Sequence, residues 1–213
     1  RCSHPAAVDG RITACQRVVD LIHGALSQVV PERVTAASNG SVAVASFDGR
    51  REDGSLWVYL ETIGGGSGAR YNKDGLDGVH VHMTNTSNLP VEALENEYPI
   101  TLRRYELVDG SGGAGEFNGG MGLRRVYRAE KPCRVQVMGA RLSTRPWGLK
   151  GGESGASGYF TLNAVRSGFE RAAVDLLPGD ILEIVTPGAG GYGDPTCRSE
   201  AAKARDAREK RFA

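Results

Sequence analysis

Apolar residues at Ile12, Cys15, Val19, Ile22, Leu26 and Val29 recur in alternating steps of three and four, which places them on one face of a helix over residues 10–30. Asp9 stands where an N-cap belongs, and Pro31 ends the run by restricting the residue before it. The pattern predicts a helix docked by this face on a core, with His23 on its flank and without chemistry. Gly24-Ala25 would let another backbone approach the helix closely.

Beyond the proline the period shortens to two. Ser41–Phe47 and Leu56–Ile63 read as strands, with Asp48, Gly49, Asp53 and Gly54 in the turn between them. Val79–Met83, Ile100–Val108, Leu123–Arg128, Cys133–Ala140, Tyr159–Leu162 and Ile181–Thr186 read likewise, and Val91–Tyr98 has a short helical pattern. Ser199–Ala213 is rich in Ala, Lys, Arg and Glu with little apolar face, so a solvated or truncated helix is expected. The predicted fold class is α+β, mainly β: an N-terminal helix packed on a mostly antiparallel β body with long glycine-rich loops. Residues 1–195 form that body, and 196–213 a charged helical tail.

Composition changes this picture in two places. Thirty glycines in 213 residues are roughly twice the usual ~7%, and they fall in clusters. The net charge of +1 gives no electrostatic case for nucleic acid or an anionic membrane as partner. No run approaches the length of a membrane span. Cys2, Cys15, Cys133 and Cys197 form no C-x-x-C pair, so zinc ribbons and redox motifs are not expected. Cys15 and Cys133 sit in apolar patterns and read as small buried hydrophobes, and a reducing cytoplasm fits best. The chain opens on Arg1-Cys-Ser-His-Pro5 without an initiator methionine, which reads as a piece of a longer polypeptide or a chain whose beginning was lost.

Three glycine runs, residues 64–69, 110–115 and 188–193, fit G-x-G-x-x-[GA] literally. None opens a predicted helix or ends in Gly-Lys-[Ser/Thr], so neither a dinucleotide fingerprint nor a phosphate loop is expected. Runs two and three read as structural, whereas the first precedes a dense polar segment. In that segment His80 and His82 would share one face of a strand. They could share a metal with Asp74, Asp77, Glu92 or Glu95, or hold a substrate carbonyl while a carboxylate acts as base. Equally they could be satisfied polar residues of a half-buried strand. Asn85 and Asn88 ahead of Pro90 suit a turn, and Glu92 and Glu95 share a helical face. Ser67 comes nearest to a nucleophile elbow, but the following helix is missing.

The same residues carry a resemblance. Glu61-Thr-Ile-Gly-Gly-Gly-Ser-Gly-Ala-Arg70, then Asp74-Gly-Leu-Asp77-Gly-Val-His80-Val-His82-Met-Thr-Asn85-Thr-Ser-Asn88-Leu-Pro90-Val-Glu92-Ala-Leu-Glu95, resemble the signature of the hydantoinase B/oxoprolinase family. Asn118-Gly-Gly-Met-Gly-Leu, Gly148-Leu-Lys-Gly-Gly152 and Thr186-Pro-Gly-Ala-Gly-Gly-Tyr-Gly-Asp-Pro195 follow in the family's order. The resemblance covers residues 4–195 and only the C-terminal portion of a B-type subunit.

It implies an ATP-dependent hydrolase of cyclic amides, with ATP-dependent ketone carboxylation of the acetone or acetophenone type, or a non-catalytic scaffold within such a complex, as alternatives. A free-standing binding module is a further reading. The resemblance also implies a hydantoinase A-like ATP-binding partner, the N-terminal portion of the B-type subunit, a small-molecule substrate, and a divalent metal ion with ATP in the whole complex. Metal ligands are expected outside this chain, which is expected to be inactive alone. On this chain the implied catalytic residues are His80, His82, Asn85 and Glu92. The implied substrate-binding residues are Glu61, Gly65, Gly66, Arg70 and Asn88.

Overall fold

The computed structural model describes residues 8–166, 173–209 and 211, with side chains from residue 11 onward. Helix α1 (Val8–Leu26) leads through a short 3-10 turn at Pro31–Arg33 into β1 (Ala43–Arg50) and β2 (Leu56–Ile63). Helix α2 (Val91–Glu97) precedes β3 (Ile100–Leu107), β4 (Leu123–Ala129), β5 (Cys133–Met138), β6 (Tyr159–Leu162), β7 (Val165–Arg166), β8 (Ala173–Leu176) and β9 (Ile181–Val185). A second 3-10 turn at Pro195–Cys197 precedes α3 (Glu200–Glu209). The predicted α+β body is therefore observed, and every strand pairing between these elements is antiparallel.

Two sheets form, ordered β2-β1-β5-β8 and β3-β4-β9-β6-β7. Alternation explains their placement: β2 buries Trp57, Tyr59, Glu61 and Ile63, exposes Val58 and Leu60 and leaves Thr62 half-buried, and β4 and β5 alternate buried residues with half-buried or exposed ones. Their buried residues share one core, in which Phe47 of the first sheet meets Tyr127 of the second at 5.3 Å between ring centroids.

The sequence reading needs several corrections. Asp48 and Gly49 belong to β1 and pair with Val58 and Trp57, so the turn is shorter than expected. Val79–Met83 is not a strand: only Val79 bridges to Gly65, and His82 follows with a φ of 59°. The short β7 and β8 lacked a signal long enough to read. Helix α1 begins before Asp9, which is therefore no cap, and ends at Leu26 rather than at Pro31. Cys2 lies outside the described residues, Cys133 is buried, and Cys15 is exposed rather than buried.

Helix α1 is also turned from the face expected to dock. Gln16 and Asp20 are buried and Ile12, Val19, His23 and Gly24 half-buried, whereas Cys15, Ile22, Leu26 and Val29 of the expected face point outward, with Val18 and Leu21 beside them. Gly24 rests on the Trp147 side chain, so the close approach there is to an indole and not to a backbone. The charged tail is held too. Buried Asp206 of α3 accepts from Arg198 Nε at 2.6 Å and from Asn118 Nδ2 at 3.1 Å, and Arg198 also bonds Asp74 at 2.9 Å.

The three glycine runs interlock. Gly66 donates to the Pro187 carbonyl at 3.1 Å, Ala69 to Gly190 at 3.0 Å, and Gly113 to Ala189 at 2.8 Å. A Cβ on Gly66 would lie 2.1 Å from the Gly120 oxygen, and one on Gly190 would lie 1.9 Å from the Trp147 oxygen. Backbone packs on backbone here, which only glycine permits. Gly66→Ala is expected to cost at least about 3 kcal/mol in urea unfolding, the scale of overpacking against unyielding atoms. Gly54→Ala, in open space but with a φ of 83°, should cost only about 1 kcal/mol. Equal costs would contradict the interlock.

Candidate functional site

Asp20 is the charge on the buried side of α1, 1% exposed. Its carboxylate accepts from Arg141 Nη2 at 2.8 Å, from the Ser38 hydroxyl at 3.1 Å and from the Ser38 N–H at 3.3 Å. His82 Nε2 lies 3.1 Å from Asp20 Oδ1 and 3.1 Å from Ser38 Oγ. The His82 side chain is 10% exposed, and its exposure to solvent falls on its backbone. Burial alone would raise the Asp20 pKa; the His82 and Arg141 hydrogen bonds and the Arg141 charge outweigh it and hold the carboxyl below its usual range.

Two partners of Asp20 sit on left-handed backbone, His82 at φ 59° and Arg141 at φ 53°. For residues other than glycine this stores roughly 1–2 kcal/mol apiece, so the ion pair and hydrogen bonds must hold both in place. Arg141 also stacks over the Trp147 ring at 4.8 Å. His23, read as having no chemistry, bonds Thr35 Oγ1 at 3.1 Å and meets the His82 ring edge-on at 6.1 Å. Burial, then the neighbouring His82, lowers its pKa.

Ser38, His82 and Asp20 do not form a nucleophilic relay. Such a relay uses the two imidazole nitrogens for different partners, and here Nε2 faces both serine and carboxylate. The remaining chemistry lies in unmet hydrogen bonding. Among the described residues, buried polar atoms without a protein partner include the amides of Gln16 and Asn39, Arg141 Nε and both ring nitrogens of His80. Others, of Trp57, Tyr59, Thr62 and Arg125, lie on the sheet that carries Glu61 and beside it. The first set lies within one helical turn or two residues in sequence of the Asp20 ion pair, and each group would cost about 1–3 kcal/mol if left unmet. Burial keeps His80 neutral by lowering its pKa.

A second buried charge anchors the far end of the same segment. Glu61 is salt-bridged to Arg125, accepts from the Tyr127 hydroxyl, and accepts from Asn88 Nδ2 at 2.9 Å. Asn88 also donates to the Thr62 carbonyl at 3.0 Å and accepts from Tyr105 at 3.1 Å. Burial and the Glu61 charge push the Tyr59 and Tyr127 phenols up. A groove of about 620 Å³ opens here, lined by Tyr59, Leu60, Glu61, Ser87 and Asn88. Residues 82–88 thus form a loop pinned at one end by Asp20 and at the other by Glu61, with Met83, Asn85, Thr86 and Ser87 exposed between.

The other sequence candidates fall elsewhere. The N–H groups of Gly65 and Gly66 are taken by the Val79 and Pro187 carbonyls. Arg70 and Glu92 are exposed, and Glu95 accepts from the Leu102 N–H at 2.9 Å. Asp74 and Asp77 are occupied by Arg198, Arg205 and Arg211 and by the N–H groups of Asn118 and Met121. Ser67 Oγ accepts from the Leu76 N–H at 2.7 Å, a loop staple rather than an activated nucleophile. No group of three or more His, Cys, Asp or Glu among the described residues is placed to hold a metal ion, and no described helix is long and apolar enough to cross a membrane. Sequence reasoning missed Asp20, Ser38 and Arg141, although Gln16, Asp20, His23 and Ser27 form a polar stripe at helical spacing that points to a buried polar face.

With this geometry in view, the comparisons with known proteins are coherent. The Hydantoinase B/oxoprolinase family matches residues 1–195, and the chain belongs to that family. An uncharacterised protein of Methanocaldococcus jannaschii is 43% identical over 195 residues, covering 90% of this chain and 34% of its own length. 5-Oxoprolinase 1 of Arabidopsis thaliana is 36% identical over 192 residues, covering 88% of this chain and 14% of its own length. The crystal structure of an ATP-dependent caprolactamase from Pseudomonas jessenii superposes with a TM-score of 0.70 at 28% identity, over 89% of this chain and 35% of that one. The chain spans about a third or less of the length of these relatives.

The Asp20 cluster sets an acid sensitivity. Because folding lowers the Asp20 pKa, the unfolded chain takes up the proton first. The Asp20 contribution is whole above the unfolded carboxyl value of about 3.9 and is lost as pH falls through the lower folded value. His23 and His80, held neutral by burial, add a shallower loss below about pH 6.5. Asp20→Asn should remove about 3 kcal/mol at pH 7 by leaving Arg141 unpaired, and should flatten the loss below pH 4. Urea unfolding followed against pH gives both readings, and an unchanged acid limb in the variant would contradict the assignment.

Proposed function

We propose that this chain supplies part of the substrate site of an ATP-dependent cyclic-amide hydrolase. It would work with a hydantoinase A-like ATP-binding polypeptide and the N-terminal portion of a B-type subunit, which together bring the ATP and divalent metal ion. The observation that carries this reading is the Asp20 cluster, where strained His82 and Arg141 are held beside buried amides and imidazole nitrogens that lack partners. Strain and unmet polar groups that fall together support a place built for a ligand.

A lactam offers what these groups lack, one N–H donor and one carbonyl acceptor on a planar amide. 5-Oxoproline and caprolactam, for which two relatives are named, are both lactams. Phosphorylation of the carbonyl oxygen by the ATP-binding partner would make the ring carbon electrophilic. Water would add there, the C–N bond would break with the ring nitrogen taking a proton, and a second water would hydrolyse the acyl phosphate to carboxylate and phosphate. The buried Gln16 and Asn39 amides would orient the ring, and neutral His80 would take a proton from the attacking water. Asn85, carried on the loop pinned at Asp20 and Glu61, would complete the site from the exposed side.

The test is substrate-stimulated ATP turnover by the whole assembly, with its mass measured in parallel. Asn85→Ala and His82→Ala are expected to lower turnover about 100-fold with the assembly intact. Full turnover in both variants would sink the reading. Loss of assembly instead of rate would make the segment a scaffold, and turnover that required bicarbonate and a ketone would make the complex a carboxylase.

A further inference from the structure

The groove at Glu61 has unmet chemistry of its own, which the Asp20 cluster does not use. Glu61 itself is fully engaged, by Arg125 Nη1, by the Tyr127 hydroxyl and by Asn88 Nδ2. Around it the Tyr59 hydroxyl, Thr62 Oγ1 and the Nε and Nη2 of Arg125 are buried without a protein partner. Tyr59 and Thr62 stand in the groove wall, and Tyr59 is only 6% exposed. Arg125 is fully buried and lies one side chain behind that wall, bonded to it through Glu61.

The kind of group left unmet selects the ligand. Nε and Nη2 form one edge of the guanidinium plane, the edge that takes both oxygens of a carboxylate side by side. Burial and the Glu61 charge keep the Tyr59 phenol protonated, although the two make no hydrogen bond of ordinary geometry, so Tyr59 also donates. Each unmet group here can donate, whereas those near Asp20 include amide oxygens that must accept. The fitting partner therefore supplies acceptors and no donors. Glu61 is already shared among three donors, so an arriving carboxylate meets the guanidinium rather than a bare anion. Leu60, Leu89, Pro90 and Tyr98 also line the groove, and its volume of about 620 Å³ leaves room for a short apolar body.

Access runs past Tyr105. Its ring lies 4.3 Å over the Arg125 guanidinium, its hydroxyl is tied to Asn88 Oδ1 at 3.1 Å, and the residue is half-exposed. It sits on edge strand β3 just after an irregularity between Leu102 and Arg104, where the ladder is already interrupted. Turning this side chain outward breaks one hydrogen bond and leaves the Glu61–Arg125 ion pair intact. We propose that the groove is a second ligand site, in which a small carboxylate with an apolar body is held by the free edge of Arg125 and the Tyr59 hydroxyl, with Tyr105 as its cover. Binding there does not depend on any reaction at the Asp20 cluster.

The test is titration of the full chain with benzoate, read from the nitrogen–proton NMR signal of Arg125 Nε, with benzamide as the neutral control. Benzoate is expected to shift that signal saturably and to bind at least tenfold more tightly than benzamide. Tyr59→Phe should raise the benzoate Kd at least fivefold. The same variant should leave the unfolding midpoint of the free chain unchanged or higher, because the hydroxyl it removes has no partner. Tyr105→Ala, which removes the cover, should speed association without weakening binding. The proposal is overturned by the absence of a saturable shift, by benzamide binding as tightly as benzoate, or by a Tyr59→Phe chain that binds as the wild type does. A Tyr59→Phe chain that loses stability would also overturn it, by showing that the hydroxyl is already engaged in the free protein.

Discussion

The structure depends on carbonyl oxygens packed where a Cβ would stand. Gly66 against Gly120, Gly188 against Ser111, Gly119 against Ala189 and Gly190 against Trp147 each leave 2.1 Å or less for such an atom. Four chain segments distant in sequence therefore lie backbone on backbone, and their amides bond across the contacts rather than within sheets. Extended backbone that is bonded on several sides stays rigid without belonging to a helix or strand. The glycine runs that resemble nucleotide loops in sequence are thus spent on the interior. They fix the departure points of the segments at 36–41, 79–82 and 141–147, which carry the polar cluster.

Upon that frame Asp20 acts as a pivot. Among the described residues it joins α1, the segment at Ser38, the turn at His82 and the loop at Arg141. Its bonds turn a polar helix face inward and hold two residues in left-handed backbone. Glu61 does the corresponding work at the other end, through Arg125, Tyr127 and Asn88. Two buried, compensated carboxylates hold an exposed loop between them, an arrangement costly in desolvation and specific in geometry.

Much of the fold was legible in sequence because it follows from alternation. β2, β6 and the starts of β3, β4, β5 and β9 agree with the pattern of Val, Ile, Leu and aromatic positions. Helix α1 was legible as a helix but not in its orientation, since an apolar stripe ordinarily turns inward. Here the polar stripe flanking it meets buried Arg141, 121 residues away, and no local pattern announces such a partner. The same limit explains the charged tail, whose Asp206 and the Arg198 before it are held by Asn118 and Asp74 far upstream. The His80–His82 pair was legible as a place but not as a shape, because Gly78 and then His82 take positive φ and end the strand. Family resemblance carried the polar segment as a whole, and only the structure separates its anchors, His82 and Asn88, from its free surface at Asn85.

The unmet buried amides and the strained residues beside them support the proposal that the chain works as part of a larger assembly. The native mass of the material in which the chain occurs tests this most directly. A heavy species that contains an ATP-binding polypeptide is the expected result. A lone species near 22.6 kDa with no companion would contradict it.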